Sequence, residues 1–169
     1  MMRQALLAGA VMIGLAAAPV FAADEAWVVK IAKGGMAEVE LGKLAAEKGS
    51  SDAVKQFGQR MVDDHSKAND ELKALADSKK ITLSPEIAPE DKTLRDRLMK
   101  LSGPAFDQAY MKAMLNDHLK DVSEFRTESR SGKDPDVKAW AAKTLPTLEE
   151  HLKMARATNG TVGTSGTKK

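Results

Sequence analysis

The sequence from Asp52 to Lys79 reads DAVKQFGQRMVDDHSKANDELKALADSK, and its pattern decides the fold class. Apolar side chains recur every three or four residues along this stretch, which places them on one face of an α-helix. A single histidine lies on that same face. The buried stripe predicted for this helix consists of Val54, Phe57, Met61, His65, Ala68, Leu72 and Leu75.

Three other stretches of the chain share this helical periodicity, and each is bounded by capping or breaking residues. One precedes the first stretch, from about Asp24 to Lys48, with Asp24 as its predicted N-cap and Gly49-Ser50-Ser51 as its stop. Two follow it, from Pro104 to about Ser131 and from Pro135 to about Thr158. Residues Lys80–Gly103 contain two prolines and a short amphipathic piece, so they are predicted to form a long crossover. The order of short and long connections predicts an all-α, ferritin-like four-helix bundle with a long crossover between helices two and three.

The start of the chain has the features of a secretory signal peptide. Met1-Met2-Arg3-Gln4 is a short positive start, and the apolar run from Ala5 to Ala17 is too short to span a membrane. Pro19 ends that run, and Val20-Phe21-Ala22 then offers small residues where a signal peptidase cleaves. Residues 1–22 are therefore predicted to be a cleaved signal peptide, which places the mature protein in the periplasm.

The composition narrows the class of protein further. Residues 23–158 are predicted to form one bundle domain, and residues 159–169, which consist largely of Gly, Thr, Ser and Lys, a disordered tail. The chain has no cysteine, which excludes disulfides and thiolate metal sites. Its 26 basic and 24 acidic residues provide no excess charge for nucleic-acid binding. No transmembrane segment is predicted in the mature chain, and the sequence leaves the oligomeric state open.

Each of the chain's three histidines lies in the same local context. In each context an acidic residue directly precedes the histidine and a lysine follows two positions later. Stepping by three or four residues places every histidine on the buried stripe of its helix, so three imidazoles are predicted to point into the bundle. The contexts are Val62-Asp63-Asp64-His65-Ser66-Lys67, Leu115-Asn116-Asp117-His118-Leu119-Lys120 and Leu148-Glu149-Glu150-His151-Leu152-Lys153.

Glu38 is the acidic residue predicted to join these histidines, because it lies on the apolar stripe of the first helix. Gly35 and Gly42 flank Glu38 by one turn on either side, which leaves space for a ligand or for close helix contact. At a rise of about 1.5 Å per residue, Glu38 and the three histidines all fall near mid-height of the bundle. They are therefore predicted to share one layer.

Four buried ionisable groups are costly unless they are paired or bind a metal. One hypothesis is a metal site for iron, zinc or copper, the ions that imidazole ligands suit. The other is a non-enzymatic envelope stress or partner-binding bundle whose buried polar layer fixes the helix register. Methionines near the histidines would suit copper, but methionine at helical spacing is usually core filling. The predicted metal ligands are Glu38, His65, His118 and His151.

The acidic neighbours of the histidines have three open roles. Asp64, Asp117 and Glu150 each lie one position before a histidine, about 100° around the helix. They are positioned to turn inward as ligands, to accept a proton from an imidazole on an adjacent helix, or to remain solvated. No serine-nucleophile motif or phosphate-binding glycine loop accompanies them, so no catalytic residue is assigned.

Several short motifs of the chain form a specific combination. They are Glu38-Val39 after Gly34-Gly35, Met61-Val62-Asp63-Asp64-His65, Gly103-Pro104-Ala105-Phe106-Asp107 leading to Tyr110, Asn116-Asp117-His118, and Leu145-Pro146 leading to His151. In these motifs the chain resembles an exported bacterial ferritin-like family known as domain of unknown function 4142. The resemblance covers roughly Trp27 to Ala157 and implies a ferritin-like fold and an envelope location, but no established activity.

The histidine contexts differ from those of ferritin-like di-iron proteins. Such proteins place a glutamate three residues before each of two histidines and add one from each remaining helix. Here the residues three positions before the histidines are Val62, Leu115 and Leu148. Ferroxidase and iron-storage activity are therefore not implied.

Overall fold

The computed structural model describes residues 21–165, and within them the chain forms five α-helices and no strand. The all-α prediction is confirmed. The four predicted long helices are α1, α2, α4 and α5, and the amphipathic piece of the crossover is α3. Of the predicted signal peptide, only Phe21 and Ala22 fall within the described residues. The helices are α1 Ala22–Lys48, α2 Asp52–Ser78, α3 Pro89–Met99, α4 Gly103–Ser131 and α5 Pro135–Ser165.

Buried aspartates tie each end of the bundle together. Near the start of α4, the Asp107 carboxylate accepts hydrogen bonds from the backbone N–H groups of Ser50 (2.8 Å) and Ser51 (2.9 Å) in the α1–α2 turn. At the other end, Asp24 Oδ2 accepts from the N–H groups of Lys133 (2.6 Å) and Asp134 (2.5 Å) in the α4–α5 turn. Asp24 was predicted to cap its own helix, but it caps the turn of the other hairpin instead.

These two contacts fix the directions of the long helices. The α1–α2 turn lies beside the start of α4, and the α4–α5 turn lies beside the start of α1. Helices α2 and α4 therefore run parallel, and the crossover must return along the length of the bundle. Lys79, just after α2, pairs with Asp134 at the start of α5 (2.7 Å), and Arg95 of α3 pairs with Glu40 of α1 (2.9 Å) on the return.

The two hairpins place corresponding residues at one constant offset along the chain. The same number of residues separates Asp24 from Asp107, Gly49 from Gly132, and Ser51 from Asp134. Each glycine follows the first helix of its hairpin, and the next cap residue accepts a hydrogen bond from the N–H three positions later. The first helix and the turn of each hairpin are therefore built on the same spacing.

Helices α1 and α2 approach each other closely where Gly42 faces Gly58. A Cβ built on Gly58 would lie 2.7 Å from the Gly42 carbonyl oxygen and 2.9 Å from the Ala46 nitrogen, so only a hydrogen fits there. At Gly35 a Cβ would instead meet the Asn69 side chain at 2.0 Å. Of the two roles predicted for the glycines beside Glu38, Gly42 therefore serves close helix contact.

The bundle has two apolar clusters, with the histidine layer between them. On α4, Met114 belongs to one cluster and Val122 to the other, and His118 lies between them. The same order holds on α2, where His65 lies between Met61 and Leu72. Met61 and Met114 are wholly buried in the first cluster, as expected for core-filling methionines. The histidines thus occupy a layer closed above and below by apolar packing.

The predicted end of the last helix at Thr158 is wrong. Helix α5 continues to Ser165, because Val162 is buried against the first apolar cluster and its carbonyl oxygen accepts a hydrogen bond from Gln108 Nε2 (3.2 Å). The first part of the predicted disordered tail is therefore helical, and residues 166–169 lie outside the described residues. Pro146 sits inside α5 without ending it. Across residues 21–165, no helix combines the length and apolar character that a membrane span requires.

Candidate metal centre

The three histidines meet in the interior of the bundle. His65 comes from α2, His118 from α4 and His151 from α5, and their ring centroids lie 5.3–5.8 Å apart. One ring nitrogen from each lies within 4.8 Å of the others. None of the three side chains is more than 7% exposed. The structure therefore brings three of the four predicted ligands together.

Hydrogen bonds determine which nitrogen of two histidines carries the proton. His118 Nδ1 lies 2.9 Å from the Met114 carbonyl oxygen, and His151 Nε2 lies 2.7 Å from Asp64 Oδ2. Because a carbonyl and a carboxylate only accept, each of these ring nitrogens must be the N–H donor. The lone pair is therefore left on His118 Nε2 and on His151 Nδ1.

Three ring nitrogens in this layer have no hydrogen-bond partner: His65 Nε2, His118 Nε2 and His151 Nδ1. Each is buried, and a buried polar atom without a partner costs about 1–3 kcal/mol. An ion bound by the three nitrogens would remove this cost at once. In metal sites, a ligating histidine characteristically donates its other N–H to a carbonyl or a carboxylate, as His118 and His151 do.

The electrostatics of the layer keep the imidazoles neutral. Burial and the neighbouring histidines lower the pKa of His65 to about 3, and burial together with His151 lowers that of His118 to about 4. Burial also lowers the pKa of His151, against the opposing effect of the Asp64 carboxylate. Neutral imidazole is the form that binds metals, so protons compete weakly for this site near neutral pH.

Asp64 takes one of the roles that the sequence left open. Burial acts to raise its pKa, but hydrogen bonds from Arg60 and His151 outweigh burial and hold the pKa below the usual range. Asp64 therefore stays ionised and orients the His151 ring from the neighbouring helix. Glu150 takes the solvated role, because its side chain is half exposed and pairs with Lys153 on its own helix (3.6 Å).

Glu38 lies beside the histidines but faces other carboxylates. Its side chain is 1% exposed, and its Oε1 is 3.9 Å from His118 Nδ1, the nitrogen already bonded to Met114. One oxygen from each of Glu38, Asp117 and Asp121 lies within 4.8 Å of the others. The sequence interpretation named Asp117 as one acidic neighbour and missed Asp121. Their spacing of one helical turn on α4 was the available signal.

Burial and like charge raise the pKa values of two of these carboxyl groups, Glu38 and Asp121. Burial, followed by the charge of Asp117, raises the pKa of Glu38 well above its usual range, and a hydrogen bond shared with Asp117 acts in the same direction. Burial and Asp117 also raise the pKa of Asp121 to about 8. No donor from outside the cluster reaches either oxygen of Glu38. Without a cation, the cluster therefore favours the protonated forms of Glu38 and Asp121.

A small cavity of about 40 Å³ adjoins the histidine layer. His65 and His151 form part of its wall, and Asp121 reaches it from α4. Its remaining wall includes the aromatic side chains of Phe125 and Trp140. A space of this size accommodates a water molecule or a small exogenous ligand next to a bound ion.

A family model described as a domain of unknown function, DUF4142, matches residues 12–158. The chain belongs to the DUF4142 family. A comparison with curated proteins found no match.

Two solved structures resemble this DUF4142 chain in fold. The crystal structure of a DUF305 fragment from Deinococcus radiodurans has a TM-score of 0.69 at 14% identity and covers 83% of this chain and 95% of that one. The structure of CopM in its Cu(I)-bound form has a TM-score of 0.66 at 12% identity. The match covers 79% of this chain and 93% of the CopM chain.

Proposed function

We propose that this DUF4142 protein binds one transition-metal ion through His65, His118 and His151. Two observations carry the proposal: three buried imidazoles converge, with one ring nitrogen of each within 4.8 Å of the others, and each ring has a nitrogen without a hydrogen-bond partner. Two of the rings are held by hydrogen bonds that leave their other nitrogen unprotonated. Together these features provide three neutral imidazole ligands in one layer.

The register-fixing hypothesis is less well supported by the same contacts. A polar layer that fixes helix register needs hydrogen bonds between helices, and only His151, through Asp64, makes one of these. His118 bonds to a carbonyl of its own helix, and the Tyr110 hydroxyl and both Glu38 oxygens have no partner. A layer left so unsatisfied stabilises one register poorly, whereas a bound ion would satisfy it.

We propose copper as the ion. The chain offers no thiolate, and three neutral imidazoles suit copper, zinc and iron. Among divalent ions at such a site, copper binds most tightly. CopM, which has a similar fold at 12% identity, was solved in a Cu(I)-bound form. The test is a competition titration with equimolar copper and zinc. If zinc stays bound to the protein in the presence of copper, the proposal of copper is wrong, but the proposal of a three-histidine metal site stands.

The test of the metal proposal is a titration of mature protein purified without a histidine tag. We expect one Cu(I), Zn(II) or Co(II) per chain, and bound Co(II) should give the visible absorption of a site with nitrogen ligands. A Lys67→Ala variant is the matched control, because Lys67 is exposed two residues from His65. Protein that binds no ion, and whose melting temperature no metal raises, would contradict the proposal.

We further propose that the bundle is ferritin-like and works in the periplasm. Support for the layout comes from the parallel run of α2 and α4, which the long crossover makes possible. Cleavage after Ala22 would leave Asp24, the cap of the α4–α5 turn, in the mature chain. We expect Ala23 at the mature N-terminus and recovery in the periplasmic fraction, as measured by N-terminal sequencing. Uncleaved chain in the inner membrane would contradict export.

A further inference from the structure

We propose that Glu38, Asp117 and Asp121 form a second metal site, which binds a hard divalent cation such as Mn²⁺ or Ca²⁺ beside the histidine layer. The inference goes beyond the proposed histidine site and stands without it. The two donor sets differ in chemistry, because one offers imidazole nitrogens and the other only carboxylate oxygens. Oxygen donors favour Mg²⁺, Ca²⁺ and Mn²⁺, whereas imidazoles favour copper and zinc.

The spacing of the three carboxylates suits an ion of this size. One oxygen from each lies within 4.8 Å of the others. Bonds from Ca²⁺ to oxygen are about 2.3–2.6 Å long, so two oxygens on opposite sides of the ion are about 5 Å apart. The observed limit therefore admits a shared ion without rearrangement of α1 or α4. Water would complete the coordination shell.

Glu38 provides the second observation that points to a ligand. Its carboxylate is almost wholly buried within this cluster, and no hydrogen-bond donor from outside the cluster reaches either oxygen. Within residues 21–165, no lysine or arginine pairs with Glu38, Asp117 or Asp121. A buried carboxylate needs a cation, a donor or a proton. A divalent cation shared by the three groups would take the place of the protons that the metal-free cluster favours and would satisfy all three carboxylates.

An open cleft connects the carboxylates with solvent. Asp117 and Asp121 line a cleft of about 520 Å³ between α1, α4 and the first turn of α3. Its wall carries five carboxylates and three lysines, an acidic excess that attracts cations. Asp91 of α3 is one of these carboxylates, and burial and Asp117 raise its pKa to about 6. A cation therefore reaches the site without passing through the histidine layer.

The test is a Mn²⁺ titration of the mature, metal-free protein, with free Mn²⁺ measured by its electron paramagnetic resonance signal. We expect one bound Mn²⁺ per chain and a rise in melting temperature. Asp121→Asn should weaken binding on the order of tenfold or more, since it removes a charged ligand. In the absence of metal the same variant should melt at a higher temperature than wild type, because asparagine removes a carboxyl group whose ionised form burial and the charge of Asp117 disfavour.

Two further variants separate this site from the histidine site. Asp77→Asn is the matched control, because Asp77 is exposed, pairs with Lys73 (2.6 Å) and does not line the cleft, so this variant should bind Mn²⁺ like wild type. A His65→Leu/His151→Leu variant should lose copper and keep Mn²⁺. Loss of Mn²⁺ binding in that variant, wild-type binding by Asp121→Asn, or no binding of Mn²⁺, Ca²⁺ or Mg²⁺ at millimolar concentration would each overturn the proposal.

Discussion

Replacing His118 with leucine is expected to abolish stoichiometric binding of copper, zinc or cobalt while the helical fold is kept. His118 Nε2 is one of three ring nitrogens in the histidine layer that have no hydrogen-bond partner, and leucine offers no donor in its place. Leucine fills the wholly buried position between Met114 and Val122 with apolar volume. Replacement of a buried polar group by an apolar one of similar size is often neutral for stability. Equilibrium dialysis and far-ultraviolet circular dichroism together measure both outcomes.

A graded series of variants gives this prediction its controls. Asp64→Asn keeps every ligand but weakens the hold on His151, and changes to such supporting groups typically cost about 10–100-fold in metal affinity. Lys67→Ala should leave the affinity unchanged. If His118→Leu binds metal as tightly as wild type, the three-histidine site is wrong. If Asp64→Asn has no effect, the tautomer assigned to His151 does not contribute to binding.

Replacing Asp24 and Asp107 together with alanine is expected to lower the free energy of unfolding by about 2–6 kcal/mol. Each carboxylate accepts two backbone N–H groups of the opposite hairpin's turn. Loss of either leaves those donors without their partner, at about 1–3 kcal/mol per site. Domain stabilities are about 5–15 kcal/mol, so the double variant loses a large share. Urea unfolding monitored by circular dichroism measures the change.

The two single variants should add in the double variant. The aspartates lie at opposite ends of a bundle whose first helix, of 27 residues, is about 40 Å long. Effects at sites so far apart usually add within about 0.5 kcal/mol. Asp77→Ala is the surface control, because its exposed pair with Lys73 should contribute about 0–1 kcal/mol. Single variants no less stable than that control would contradict the cross-capping role.

Much of the fold follows from local pattern. The apolar period of about 3.6 residues, with glycines and serines at the helix ends, predicted four long helices and a crossover. The same period placed His65, His118 and His151 on buried stripes, because a side chain's face depends only on its own helix. The sequence also offered Asp64 as a proton acceptor for a histidine on an adjacent helix. The sequence did not predict which helix carries the histidine that bonds to Asp64.

Contacts between helices were not predictable in this way, because they depend on relative rotation and height. Asp24 looked like a cap for its own helix, yet it caps a turn more than 100 residues away. Helix α5 continues beyond Thr158 because Val162 packs in the first apolar cluster, whose other residues are far away in sequence. The local Gly and Thr content would by itself disfavour a helix there. The gap between Gly42 and Gly58 likewise closes only when α1 and α2 pack together.

The site divides in the same way between local pattern and tertiary structure. The sequence by itself determined that three histidines and Glu38 face inward, since burial follows helical period. Only the tertiary structure decided that Glu38, which lies beside His118, also groups with Asp117 and Asp121. It also decided which ring nitrogens keep their lone pairs, because the Met114 carbonyl and the Asp64 carboxylate hold the protons of the others. Ligand geometry depends on distances of a few ångströms between helices, and periodicity within one helix carries no such information.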